Sequence, residues 1–143
     1  MNKLDTGSRL GRYEIVRKIG SGGMADIFLA RSPGLSGFEK PVVLKVLRDP
    51  LALDEDAVTE FLDEARLAAR LSHPNLVSTF EVGNEDGRYF MVMEYVRGES
   101  LMRLRSGPGG MSLDLQLAVL VSVLAALEHA HGLADDDGAP LGV

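Results

Sequence analysis

The sequence predicts an α+β domain built on a five-stranded antiparallel sheet with one helix inserted. Three observations carry this. Short apolar runs of strand length recur between residues 12 and 47, and again between 76 and 96, each bounded by turn residues. One stretch of helical period, residues 54–71, separates the third strand from the fourth. A long apolar helix, residues 113–133, comes only after the last strand, and elements segregated in this way belong to an α+β unit rather than a parallel α/β sheet.

Length and composition set the outer limits. A chain of 143 residues with 45% apolar and 25% charged residues is one globular domain by size. The net charge of −6 argues against a general nucleic-acid partner, which would favour a basic face, while leaving room for a local basic pocket. With no cysteine there is no disulfide and no cysteine-based metal site, which fits a reducing compartment. Residues 1–10 are polar and lack the apolar core of a leader peptide. The apolar stretch Leu117 to Leu127 is too short to cross a bilayer and is broken by Ser122. The expectation is a cytoplasmic chain without a membrane segment of its own, although a longer protein could carry an anchor further along.

Residues 1–11 read as a loose tail. Arg12 to Ile19 alternates as a strand, with Tyr13 and Ile15 on one face and Glu14, Val16 and Lys18 on the other. The glycine-dense stretch Gly20-Ser21-Gly22-Gly23-Met24-Ala25 follows, and Asp26 to Ala30 reads as the antiparallel partner. Glycine reaches positive φ and lets another group approach without a Cβ in the way. Bare N–H groups at such a tip can cradle phosphate. Read alone, the stretch fits an ordinary hairpin equally well. Ser32-Pro33-Gly34 and Ser36-Gly37 mark a loop. Pro41 to Leu47 is a third strand, apolar apart from Lys45. Lysine is rarely buried, and here Val43 and Leu47 share its face, so a paired lysine explains the pattern better than a solvated one.

Asp54, Glu55 and Asp56 open a helix that runs to about Leu71, its apolar face formed by Val58, Phe61, Leu62, Ala65, Ala68 and Ala69. Glu64 falls about 40° from Ala68 on the edge of that face, from where an acid can reach inward; taken alone it reads as a solvated surface acid. Ser72-His73-Pro74-Asn75 ends the helix, and His73 reads as a turn residue rather than a ligand or base. Leu76 to Val82 is a strand, Asn84 to Gly87 a turn, and Arg88 to Val96 the fifth strand. Leu101 to Leu104 forms a short helix. Ser112 then caps the helix 113–133, which is apolar nearly all round and therefore belongs inside a domain. Little follows it that could cover it.

Taken in order, these pieces resemble the eukaryotic-type Ser/Thr protein kinases found in bacteria. The glycine-loop pattern G-x-G-x-x-G-x-V matches Gly20-Ser21-Gly22-Gly23-Met24-Ala25-Asp26-Ile27, and V-A-I-K matches Val42-Val43-Leu44-Lys45. Glu64 sits on the following helix, the His-Pro-Asn turn comes next, and Met91 to Val96 looks like the hinge strand. The resemblance implies a kinase N-lobe over residues 12–96, with five strands and the αC helix, followed by the hinge and the first helices of an incomplete C-lobe over 97–143. It implies ATP with Mg²⁺ as cofactor and a protein substrate. Lys45 would hold the ATP phosphates and Glu64 would orient it. The loop Gly20, Ser21, Gly22, Gly23, Met24 and Ala25 would cover the phosphates through backbone N–H groups. Ile19, Ile27 and Val43 would sandwich the adenine, with Met93 behind it, the backbone of Glu94 and Val96 at its edge, and Glu99 or Ser100 toward the ribose. No residue of the chain is assigned to a metal.

Two residues depart from the pattern at the site: Ala25 stands for the third glycine and Val43 for the usual alanine. The catalytic motifs H-R-D-x-x-x-x-N and D-F-G do not occur in the 143 residues, and Leu141-Gly142-Val143 looks like the lead into the first of them. Phosphoryl transfer rests on the groups those motifs supply, so the chain alone is expected to lack useful kinase activity. The alternative is a non-catalytic kinase-like module that binds nucleotide or a partner, with helix 113–133 covered by the rest of a C-lobe or by another chain. An α+β binding domain that only mimics the motifs is a third reading.

Overall fold

A computed structural model describes residues 4–34, 37–134 and 139. The strands are β1 (Arg9–Leu10), β2 (Tyr13–Ser21), β3 (Ala25–Pro33), β4 (Glu39–Leu47), β5 (Thr79–Glu85) and β6 (Arg88–Glu94). The helices are α1 (Glu55–Arg70), α2 (Leu101–Ser106) and α3 (Leu113–His131). The strands form one antiparallel sheet in the order β1-β2-β3-β4-β6-β5, with α1 inserted between β4 and β5.

The sheet has six strands rather than five. The extra one is β1, which pairs Leu10 with Tyr13 and buries Leu10 to 2% exposure, so the expected tail at 1–11 is structured at its end. β3 also extends through Ser32 and Pro33, which were expected to lie in a loop; they continue the pairing with Lys40 and Glu39. The strand expected at Leu76–Val82 starts later, at Thr79, where pairing with Met93 begins. Asp86 and Gly87 close the β5–β6 hairpin at φ 52 and 80, the positive pair that suits an Asp-Gly two-residue turn.

The chain divides into two compact units, Met1–Arg70 with Ser78–Tyr95, and Leu71–Val77 with Val96–Val143. Residues 71–77, which lie within the span 12–96 expected to form one lobe, cluster with the second unit. In the first, two apolar layers form on opposite faces of the sheet. One gathers Tyr13, Ile15, Phe28, Leu44, Phe90 and Val92 inside the curl of the sheet. The other places Ala25, Leu47 and Met91 against Phe61 and Ala65 of α1. Asp54 starts α1, its Oδ1 accepting from the N–H groups of Asp56 and Ala57 at 3.0 and 3.2 Å.

In the second unit, Ser100 and Ser112 cap α2 and α3, accepting from Arg103 and Leu115 N–H at 3.3 Å each. The His-Pro-Asn turn is tied to α3: Asn75 Nδ2 donates to the Ser122 carbonyl at 2.9 Å, and the His73 ring lies 5.4 Å from that of His129. His73 Nδ1 accepts from the Asn75 N–H at 3.1 Å, consistent with a turn residue. Among its described residues α3 buries only Ala126 and Ala130 and leaves Leu117, Leu120, Val121 and Leu124 exposed. At 19 residues and mean hydropathy 1.6 it is long and apolar enough to cross a membrane by length and composition, which the shorter run Leu117–Leu127 was not. The segments 135–138 and 140–143, including Leu141-Gly142-Val143, lie outside the described residues.

Candidate functional site

Antiparallel partners point to the same side of a sheet, so register assigns the site face directly. Ile27 pairs with Lys45, Lys45 with Met91, Leu29 with Val43, and Val43 with Met93. Ile27, Val43, Lys45 and Met93 therefore share one face. Its neighbours Ala25, Leu47 and Met91 are covered by α1. The opposite face of β4, Val42, Leu44 and Val46, fills the curl of the sheet. Lys45 thus sits on an apolar face beside a helix, and it needs an anion there.

Glu64 is that anion. Lys45 Nζ donates to both Glu64 carboxylate oxygens at 2.5 Å. The lysine side chain is 20% exposed and the glutamate 50%, so one end of the pair is sheltered and the other meets water. The helix explains the placement. Phe61 and Ala65 are buried, and Glu64 lies three positions beyond one and one before the other, at the rim of the covered face. Phe61 contributes in a way the sequence reading missed: its ring centroid lies 5.9 Å from Lys45 Nζ. Its i, i+3 spacing from Glu64 was the available signal.

The glycine hairpin lies at the end of β2 and the start of β3. Gly22 N–H donates to the Ala25 carbonyl at 2.8 Å, and Arg48 N–H to the Met24 carbonyl at 3.1 Å. None of Gly20, Gly22 or Gly23 adopts positive φ, so backbone freedom is not what glycine supplies here. What it supplies is bareness. A Cβ on Gly23 would meet nothing within 4 Å, and one on Gly22 only the Ala25 carbonyl at 3.5 Å. The side chains of Met24 and Ala25 turn into the layer under α1, which leaves only their backbone at the tip. Ile19 is exposed and lies at a register shift between Lys18 and Gly20.

A second tie braces this hairpin. Asp26 Oδ1 accepts from Ser21 Oγ at 2.6 Å and from Lys18 Nζ at 2.8 Å. The Lys18 bond, then the Ser21 bond, hold the Asp26 carboxyl below its usual value. Ser21 and Asp26 are cross-strand partners, a relation that only the register reveals.

The remaining expected residues divide between the two units. Glu94 ends β6; its N–H donates to the Ser78 carbonyl at 2.9 Å and its carboxylate accepts from Ser78 N–H at 3.3 Å. Val96 belongs to the second unit and is exposed. Glu99 and Ser100 are engaged at the start of α2, Glu99 with Arg103 at 3.1 Å and Ser100 as its cap. No group of three or more His, Asp or Glu able to hold a metal ion occurs among the described residues.

The chain is 42% identical over 137 residues to a tyrosine-protein kinase, MasK, of Myxococcus xanthus, covering 93% of this chain and 21% of that protein. It is 39% identical over 121 residues to a serine/threonine-protein kinase, PrkC, of Bacillus subtilis, covering 85% and 18%. The chain therefore spans about a fifth of the length of these curated relatives. A crystal structure of the Mycobacterium tuberculosis PknI kinase domain superposes with a TM-score of 0.70 at 30% identity, covering 90% of this chain and 51% of that one. The family model described as protein kinase domain matches residues 13–134, and with most of its length so matched the chain belongs to the protein kinase domain family.

Proposed function

We propose that this chain is the ATP-binding part of a bacterial serine/threonine protein kinase. The observation that carries it is the Lys45–Glu64 ion pair, set on the same sheet face as Ile27, Val43 and Met93. An ammonium held on an apolar sheet face suits a ligand with a flat ring at one end and phosphates at the other. The bare tip at Gly22 and Gly23 fits the phosphate end: the Gly22 N–H is committed to the Ala25 carbonyl, so the contact falls to the Gly23 N–H, which an anion can approach without a side chain in between. ATP supplies the phosphoryl group that the intact enzyme transfers.

In this reading Lys45 holds the phosphates and Glu64 keeps its ammonium in place. Gly20 to Ala25 covers the phosphates, and Ile19, Ile27 and Val43 enclose the adenine in front of Met93. Glu94 has its N–H committed to Ser78, so its share of the adenine edge falls to its carbonyl oxygen, with the Val96 N–H as the second contact. Mg²⁺ is different. The chain carries neither motif that supplies its ligands, and no acidic cluster among the described residues replaces them. Transfer by this chain alone is therefore not expected. The acceptor amino acid is read as serine or threonine because most of the similar kinases carry that description. Tyrosine, the description of MasK, is the outcome phosphoamino-acid analysis of the longer protein has to exclude.

That α3 lies inside the matched family range supports reading it as a domain helix rather than a membrane span, and with it a cytoplasmic kinase domain. Its exposed apolar face favours a second reading, a non-catalytic module that binds another chain; concentration-dependent self-association or capture of one stoichiometric partner would support it. The test of the main reading is ATP binding by calorimetry on the full chain. Binding that Lys45→Met weakens by about tenfold or more is expected. Unchanged affinity would remove the role given to Lys45.

A further inference from the structure

Lys18 and Ser21 are three positions apart, so in a regular strand they would face opposite sides of the sheet. Both nevertheless reach one carboxylate: Asp26 Oδ1 accepts from Lys18 Nζ at 2.8 Å and from Ser21 Oγ at 2.6 Å. The register explains how. Lys18 is opposite Phe28, Gly20 opposite Ile27 and Ser21 opposite Asp26, so β2 carries one extra residue, Ile19, against Ile27. This bulge returns Ser21 to the face of Lys18, Asp26 and Phe28, the curl side of the sheet. It leaves Gly20 on the other face, where a Cβ would lie 3.5 Å from that of Ile27. We propose that Asp26 is a positioning residue: held by Lys18, it draws Ser21 onto its own face, pins the bulge at Ile19, and so fixes how Ile19 and Gly20 stand beside Ile27 at the nucleotide. The last step rests on the ATP site proposed above, in which neither Lys18 nor Asp26 has a contact.

A side-chain tie can decide the register here because packing does not. Register is strongly set where one strand face is buried and weakly set where a strand is rich in glycine. Earlier in β2, Tyr13 and Ile15 are buried in the inner layer of the sheet. From Gly20 to Gly23 the chain offers three glycines and a serine, with no apolar side chain to choose between a bulged and an unbulged pairing. The facing strand is already fixed. β3 pairs with β4 without a shift, and the Met24 carbonyl accepts from the Arg48 N–H at 3.1 Å. Any slip therefore falls on β2. Without the bulge Gly20 would face Asp26 and Ser21 would face Ala25, on the wrong side for the Asp26 carboxylate. The Ser21 bond is thus made only in the bulged register. It is a bond to an ionised acceptor, the stronger kind, and the Asp26 side chain is only 26% exposed. The other extra residue of β2, Val16, lies outside this tie.

The test is nuclear magnetic resonance on the isotope-labelled full chain, first without nucleotide and then with ATP titrated in. Without nucleotide, Asp26→Ala should lose the cross-strand contact of Gly20 with Ile27 and keep that of Leu29 with Val43. Ser21→Ala should weaken the same contact, and adding it to Asp26→Ala should change nothing further. Asp26→Asn keeps an acceptor for Ser21 and should retain the contact. ATP affinity should fall about tenfold in Asp26→Ala and clearly less in Asp26→Asn. Should Asp26→Ala fold poorly, Ser21→Ala gives the same readout from an exposed residue. An unchanged Gly20–Ile27 contact, with only the melting temperature lowered, overturns the proposal. So does a lost contact at unchanged ATP affinity. A wild-type chain that binds no ATP overturns the reading of the site instead, and the contact of Gly20 with Ile27 then decides by itself whether Asp26 sets the register.

Discussion

The Lys45–Glu64 pair allows a quantitative test through a double-mutant cycle of Lys45→Met and Glu64→Gln. An exposed ion pair contributes about 0.2–1 kcal/mol. Removing one partner of a fully buried pair costs about 3–5 kcal/mol. With the lysine 20% and the glutamate 50% exposed, the pair stands between these limits and nearer the lower one, because Glu64 keeps water on one side. We therefore expect a coupling of about 1 kcal/mol. Each single variant should be mild. Methionine at 45 packs on Phe61 and Met91 while Glu64 turns to solvent, and glutamine at 64 keeps one acceptor for the lysine, which retains Phe61 beneath it. The assay is urea unfolding followed by far-UV circular dichroism, since the chain has no tryptophan. A slope of about 2 kcal/mol/M converts 1 kcal/mol into a midpoint shift of about 0.5 M. A coupling below about 0.3 kcal/mol, the usual error of additivity, would mean that the pair does not persist in solution. One above about 3 kcal/mol would mean that Glu64 is desolvated, against its observed exposure.

Three further outcomes are expected. Gly83→Ala should destabilise the first unit by about 1–3 kcal/mol, measured as a lower melting temperature, because the new methyl would enter the Phe90 ring, with Cε1 at 2.8 Å and Cε2 at 2.9 Å. Asp26 has a folded pKa below its unfolded value, so its contribution is present above about pH 4 and is lost as pH falls through the folded value. Asp26→Asn should accordingly flatten the acid limb of the stability profile and leave no difference in slope near neutrality. Asn75→Ala should cost about 1 kcal/mol through the lost bond to Ser122 and should raise hydrogen exchange at residues 71–77 before it does so in the sheet.

Much of this architecture was legible because its signals are local. Lys45 stood out as the one charge in the apolar run Pro41 to Leu47, sharing a face with Val43 and Leu47, and the helical period of Val58 to Ala69 put Glu64 at the rim of another face; the ion pair follows once the two faces meet. β1 was missed because two residues cannot show an alternation, and Leu10 is recognisable as core only when Tyr13 is opposite. Leu76 and Val77 look like strand by composition, yet the ladder to β6 begins at Thr79. The glycines were read partly for the wrong reason: their value at the hairpin is an empty surface, not an unusual backbone angle. The cluster of Lys18, Asp26, Arg48 and Arg88 left no trace in the sequence, because these residues come from four separate stretches that only the curl of the sheet brings together.

β2 and β4 differ in how much length variation they can absorb. β2 already carries two register shifts against β3, one on either side of Arg17, whereas β3 and β4 pair without interruption from Ala25–Leu47 to Pro33–Glu39. A residue gained or lost in β2 can be taken up by moving a bulge, so the glycine hairpin is free to vary in reach across a lineage. A single codon lost between Pro41 and Lys45 has no such outlet. It would slip the strand by one position, carry the ammonium into the layer of Phe28 and Leu44, and present a valine or leucine to Glu64. Libraries meant to reshape the proposed ATP site should therefore vary length in β2 and confine β4 to substitutions.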